Sequence, residues 1–324
     1  MRSSKLILGV LLVISCCSIY ISCNQVNAEK KAAFIKIDPA LIPKNKFGEE
    51  VRYGRELMLR TAYYIGPQGI KGKYLGNKMN CTNCHQDAGT KAFSFNLLRS
   101  HDQFPQYRPR EGKVLTLTER INNCIERPHN GKALPAESRE MIALLSYLKW
   151  INDFVPKNES FFGAKNLEIS FPQIAANPKK GEQLFKLHCQ RCHGVNGEGV
   201  LDASDSNYIY PPLWGKNAYQ PGSSMHRIIK QAQWLKANMP FDKASWDKPV
   251  LTDEEALDIA AFVNDDLIHP RPGVANFDYP HPEEKSIDYD IGPFVDTFPV
   301  MQHKLGPYLP IIVYLKSKGI TPVY

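Results

Sequence analysis

Two small, mostly α-helical domains followed by an irregular arm are what this 324-residue sequence predicts. Three observations lead there. The pentapeptide C-x-x-C-H occurs twice, as Cys81-Thr82-Asn83-Cys84-His85 and Cys189-Gln190-Arg191-Cys192-His193. Apolar residues recur at helical spacing around both copies. The last stretch, Asp266 to Tyr324, holds 9 of the 24 prolines and is rich in Tyr and Phe; it is too irregular for a domain and too aromatic for a disordered tail. C-x-x-C-H is the signature for covalent attachment of a c-type haem. With eight cysteines and nine histidines in the chain, one match arises by chance with a probability of about 0.005, so two matches exclude coincidence. The fold class is therefore mostly α, with two cytochrome c-like haem domains, two covalently bound haem c groups and an irregular C-terminal arm.

The amino terminus stands apart from that fold. Arg2 and Lys5 precede an apolar run from Leu6 to Ile21, and no acidic residue occurs before Glu29. This is a secretory signal, too short and wrongly flanked for a stable transmembrane helix. Val26-Asn27-Ala28 offers cleavage after residue 28, and Ser22-Cys23-Asn24 offers the alternative of a lipid anchor at Cys23. Either end implies export to the periplasm. The organisation expected is a signal over 1–28, an N-terminal haem domain over 29–160, a second over 161–268 and the arm over 269–324.

Cysteine arithmetic isolates one residue. Cys16 and Cys17 leave with the signal, Cys23 leaves or is acylated, and Cys81, Cys84, Cys189 and Cys192 are spent on thioethers. Only Cys124 is left, which rules out a disulfide framework. The net charge of +7 becomes +5 without Arg2 and Lys5, and four haem propionates would bring it near neutral. The basic balance is thus no argument for a nucleic-acid partner.

In chain order, Gly48 to Ile65 reads as one helix, with Val51, Gly54, Leu57, Met58, Ala62 and Ile65 on its inner face, ended by Gly66-Pro67. From Gln86 to Glu119 periodicity is poor, and a loop over the first haem is expected. Pro135 stands at the start of the next helix, whose face is Met141, Leu144, Leu145, Leu148 and Ile151. Asn152 to Pro178 reads as the interdomain linker. Lys180 to Phe185 leads directly into Cys189, with Gly181 allowing close approach of a crossing helix. That partner is Thr252 to Asp265, with a Thr252/Glu255 capping box and Ala256, Ile259, Ala260 and Val263 turned inward.

His85 and His193 are the expected proximal iron ligands; a zinc site would need further ligands at a matching spacing, absent near either motif. For the second haem the expected sixth ligand is Met239, in Asn238-Met239-Pro240, with Met225 as competitor; a methionine raises the potential. A carbonyl in Pro211-Pro212-Leu213-Trp214-Gly215 is expected to accept the proximal imidazole N–H. For the first haem the candidates are Cys124, His101 and His129. A buried free cysteine is usually inert. This one sits in a polar segment between Arg120 and Arg127, and positive neighbours favour thiolate.

The runs Tyr53-Gly54-Arg55-Glu56-Leu57 and Asn80 to Thr90 match a family in order. So do Pro105-Gln106-Tyr107-Arg108-Pro109-Arg110-Glu111-Gly112, Arg120-Ile121-Asn122-Asn123-Cys124, Asn130 to Pro135, Pro211 to Gly215 and Asn238-Met239-Pro240. From about Tyr53 to Val263 the sequence resembles thiosulfate dehydrogenase, a dihaem enzyme related to the cysteine-ligated cytochromes of sulfur oxidation. The resemblance implies that Cys124 ligates the first haem and Met239 the second, and that Arg110 and Arg120 help bind substrate. One position departs: four residues after the cysteine, where the family commonly has serine, stands Pro128.

The expected function is a periplasmic dihaem oxidoreductase that couples two thiosulfates to tetrathionate, or reduces tetrathionate. Its electrons would pass through the second haem to an external partner, another cytochrome c. Catalysis would fall to Cys124, Arg110 and Arg120, with Arg127 as a further cation beside them. Two alternatives remain: a non-catalytic dihaem electron carrier, and a dihaem peroxidase using His101 or His129.

Overall fold

The computed structural model describes residues 35–157, 160–273 and 278–324. The signal reading, with Cys23 and the cleavage after Ala28, lies outside the described residues. Asn45 accepts the Gly48 N–H at 2.9 Å and starts α1 (Lys46–Leu59), the ordinary use of Asn as a helix cap. The spacing predicted one helix to Ile65, but the chain breaks at Arg60 (φ −132°, ψ 42°) and restarts as α2 (Thr61–Ile65). The break has a chemical cause. Asn80 Oδ1 takes the Ala62 N–H at 2.9 Å, and Thr61 Oγ1 accepts the Cys81 N–H at 2.9 Å. The first C-x-x-C-H motif is thereby fastened to the corner between two helices.

The expected loop after Gln86 is more ordered than the sequence suggests. It contains a short helix α3 (Ser100–Gln103) and an antiparallel hairpin, β1 (Gln106–Arg108) with β2 (Lys113–Leu115). A Thr116/Glu119 capping box then opens α4 (Leu117–Glu126), which carries Cys124. The next helix begins later than Pro135 implied. Ser138 caps α5 (Arg139–Asn152), and Pro135 instead accepts the Ser138 hydroxyl at 2.7 Å in the preceding turn. Helices α1 and α5 pack so closely at Gly54 that an added Cβ would lie 2.0 Å from the Ala143 carbonyl oxygen. Around this contact Val51, Leu57, Met141, Tyr147 and Ile151 form the first core.

The second core is built around α6 (Pro178–His188), α7 (Ile228–Asn238) and α8 (Asp253–Val263). The Thr252/Glu255 capping box is present, and Ala256, Ile259, Ala260 and Val263 are buried. Gly181 does what its position implied: a Cβ there would stand 2.0 Å from the Asp258 carbonyl oxygen. A two-stranded hairpin, β3 (Val200–Leu201) with β4 (Tyr208–Tyr210), follows the second motif. Helix α7 also reaches the first unit. Trp234 Nε1 donates to the Cys84 carbonyl at 3.0 Å, and Asn238 Nδ2 to the Phe93 carbonyl at 3.0 Å.

The arm is irregular only as far as Pro299. Beyond it stand α9 (Val300–Leu305) and α10 (Tyr308–Ser317), with Pro299 and Pro307 at their N-caps. Tyr308, Ile311, Ile312 and Leu315 enter the second core, so the chain end is a packed part of that domain. Earlier in the arm, Asp288 is fully buried against Arg227 just before α7.

Candidate active site

The first attachment motif is a single 3₁₀ turn, Cys81–Asn83, closed by reciprocal Asn80 and Asn83 side-chain bonds. Burial pushes the free Cys81 thiol up to about 11 and the free Cys84 thiol up to about 12. The loop beyond is strained: Asp87, Ala88, Phe93 and Phe95 all hold φ between 47° and 54°, a region non-glycine residues occupy mainly where surrounding structure demands it. Phe95 presents its carbonyl 2.5 Å from His85 Nδ1. A carbonyl only accepts, so His85 carries its proton on Nδ1 and keeps Nε2 free to bind a metal.

Cys124 faces that ring. Its sulfur accepts from Arg120 Nη1 at 3.1 Å, one turn back on α4, and His85 lies close enough to act on it. Burial alone would raise this thiol, but the Arg120 charge beside it outweighs burial and brings it down to about 6. The other two candidates do not meet His85 in this way. His129 is buried with its ring turned to Asn77 (3.4 Å) and the Met79 backbone, and burial followed by the nearby His85 lowers it to about 4. His101 lies on α3 beside Asp102 at 3.4 Å.

In the second motif His193 Nδ1 stands 2.8 Å from the Pro211 carbonyl, the proline acceptor anticipated for it. Met239 caps the end of α7 and packs at the edge of the second core. Met225 is buried inside that core, and its carbonyl accepts from Asn264 Nδ2 at 3.2 Å.

The arginines divide into two kinds. Arg127 is spent: its two Nη atoms donate to Glu111 (2.8 Å) and Asp278 (3.0 Å). Arg110 donates from Nη1 to the Gly222 carbonyl (2.7 Å) and turns Nε toward Asp278 (3.4 Å). Its Nη2 is buried and has no partner among the described residues. Arg108 on β1 was missed as a site residue, although it sits in the matched run around Arg110. Burial first, and then the Arg120 charge, push its guanidinium below the ordinary value, so the two cations act on one another. Four guanidiniums thus share the region with three anions, Glu111, Asp278 and the Cys124 thiolate, leaving one positive charge over. Pro128, where serine was the commoner residue, brings no hydroxyl; its carbonyl accepts from Asn77 Nδ2 at 2.9 Å.

Residues 73–152 match the family described as SoxA/TsdA, cytochrome c domain, and residues 178–265 match Cytochrome c. The chain is 35% identical over 231 residues to the thiosulfate dehydrogenase of Stutzerimonas stutzeri, covering 71% of this chain and 70% of that one. It is 34% identical to that of Allochromatium vinosum, covering 72% and 82% respectively. The chain belongs to the thiosulfate dehydrogenase family. Among solved structures it superposes on a thiosulfate dehydrogenase (TsdBA) from Marichromatium purpuratum with a TM-score of 0.64 at 30% identity. That match covers 71% of this chain and 49% of the other, so the chain spans about half its length.

Family membership makes the protein a dihaem cytochrome oxidoreductase with two covalently bound haem c groups. The residues fit those groups. Each C-x-x-C-H pairs free cysteines with a histidine whose Nδ1 is held by a carbonyl. The two matched cytochrome segments end at Asn152 and Asp265, so the arm, with Asp278, lies beyond both.

Proposed function

We propose that this enzyme couples two thiosulfate dianions to tetrathionate, or runs that reaction in reverse, at a pocket formed by Cys124, Arg108, Arg110 and Arg120. The observation that carries the reading is the Arg120–Cys124 contact at 3.1 Å, together with the buried, unpartnered Nη2 of Arg110. A planar guanidinium matches a sulfonate with paired N–H bonds, and the surplus positive charge offsets part of the repulsion between dianions. His85, Cys124, His193 and Met239 would hold the two irons, with Cys81, Cys84, Cys189 and Cys192 in thioether linkage. When bound, the haems supply two one-electron redox centres.

The residues have separate tasks. Arg120 stabilises the Cys124 thiolate, which bonds to the sulfane sulfur of one thiosulfate as two electrons leave. Arg110 and Arg108 hold the sulfonates. The second thiosulfate then attacks that sulfane sulfur, tetrathionate departs, and the cysteine thiolate is restored. No proton is transferred, so the position and charge of the Cys124 sulfur matter more than any acid–base group. An external cytochrome c would take the electrons by way of the second domain, and the amino-terminal signal supports a periplasmic location.

The test is a steady-state assay of purified holoprotein in both directions, with haem absorbance recorded alongside. Reduction of the haems by thiosulfate, or oxidation of the dithionite-reduced protein by tetrathionate, is expected. If neither reagent changes the haem spectrum, the protein is an electron carrier and this reading is wrong.

A further inference from the structure

The arm beyond the matched cytochrome segments reaches Arg110 through Asp278 and Tyr279. We propose that Asp278, with Tyr279 and Tyr289, is a positioning device for Arg110, fixing its guanidinium so that the unpartnered edge faces the substrate oxyanion; this rests on the function proposed above.

Three features support it. First, Arg110 is held everywhere except where an anion would bind. Nη1 is taken by the Gly222 carbonyl (2.7 Å), Nε faces Asp278 (3.4 Å), and the guanidinium carbon lies 5.8 Å from the Tyr279 ring centroid and 5.6 Å from that of Tyr289. Of its nitrogens, Nη2 is the one buried without a partner among the described residues. An unmet buried donor is costly, so this nitrogen is the one left to receive a bound anion.

Second, the carboxylate that orients Arg110 is itself immobilised. Asp278 Oδ1 accepts from Arg127 Nη2 (3.0 Å) and Oδ2 from the Tyr289 hydroxyl (3.1 Å). Tyr289 stands edge-on to Tyr279, ring centroids 5.0 Å apart. Third, the arm grips the hairpin that carries Arg108 and Arg110. Tyr279 holds φ 63° and donates its N–H to the Arg110 carbonyl at 2.7 Å. For a bulky residue that conformation is an outlier of the kind found where geometry serves function. One residue on, Pro280 covers the turn at Gly112, where an added Cβ would lie 2.3 Å from the proline ring. Tyr107 on β1 donates to Glu284 at 2.8 Å.

The sign of one substitution separates positioning from plain charge balance. Asp278 is an anion placed beside an anion site, so by Coulomb attraction alone Asp278→Asn should tighten thiosulfate binding. If Asp278 positions Arg110, the loss of orientation outweighs the gain in charge. The KM for thiosulfate, and the Kd for tetrathionate measured by calorimetry on the oxidised holoprotein, should then rise about tenfold. Asp278→Glu should recover part of the loss, and Tyr289→Phe, which removes one hydrogen bond, should raise both constants about threefold. Haem content and the Soret spectrum should not change.

A KM and Kd that fall or stay constant in Asp278→Asn overturn the inference. If that variant does not fold, Tyr289→Phe decides, and unchanged constants there overturn it equally. A wild-type protein that neither binds nor converts thiosulfate or tetrathionate removes the functional reading and this inference together. An active wild type with indifferent arm variants removes this inference alone.

Discussion

Replacing Arg120 with lysine keeps the charge and removes the fork. In the structure Nη1 of Arg120 reaches Cys124 Sγ at 3.1 Å, and its charge is near enough to be felt by Arg108. Lysine offers a single point of charge on a flexible stem, so it cannot hold the sulfur in the fixed direction that the planar fork imposes. A hydrogen bond to a charged group contributes about 1.5–3 kcal/mol. At about 1.36 kcal/mol per factor of ten, Arg120→Lys should lower kcat/KM for thiosulfate by about 10- to 150-fold. The loss should appear in kcat if the bond is made as the cysteine sulfur reacts, and in KM if it serves only to hold substrate. Steady-state kinetics with an artificial electron acceptor, normalised to haem content, measure it. Wild-type kinetics in Arg120→Lys would mean that this arginine is a charge near the pocket and takes no part in the chemistry.

Cys124→Met should keep both haems, because Cys81, Cys84 and His85 still hold the first, and should remain reducible by dithionite while losing thiosulfate turnover; turnover near wild type would overturn the sulfur-transfer role. Met239→Gly should abolish the weak far-red ferric band that marks methionine sulfur on iron, and Met225→Gly should leave it. The opposite pattern would exchange the two assignments. Gly181→Ala should destabilise the second domain by about 1–3 kcal/mol, since a methyl must displace the Asp258 backbone; calorimetry showing no loss would mean the α6–α8 crossing yields easily. Cys23→Ala should move the protein from the membrane fraction to the soluble periplasm if that cysteine is acylated, and a mature chain beginning at Glu29 by mass spectrometry would rule acylation out.

Most of what could be read from the sequence was local chemistry. The two C-x-x-C-H motifs, the Thr252/Glu255 box and the close approach at Gly181 are each encoded within a few residues, and the structure has all three. The break at Arg60 was hidden because its cause is Asn80, far along the chain and outside any helical period. The β1–β2 hairpin was hidden because its strands are three residues long, too short to show alternation between Pro105 and Thr116. Helix α10 was legible and passed over: Ile311, Ile312 and Leu315 have helical spacing, obscured by the surrounding prolines. At the site, Cys124 and Arg120 share one helical turn and could be paired from spacing alone. The tie between Arg110 and Asp278 joins residues far apart in the chain, which no local pattern encodes.

Helix α7 touches both redox units within two turns: Trp234 bonds the Cys84 carbonyl, Asn238 bonds the Phe93 carbonyl, and the next residue is Met239. From Trp234 to Met239 the helix rises only about 7.5 Å. One rigid rod therefore sets the spacing between the first attachment motif and the end of the second core. If electrons pass between the two haems, as proposed, they cross a distance fixed within a single molecule. The rate should be the same in dilute and concentrated protein, with no docking equilibrium between the halves for salt or viscosity to disturb.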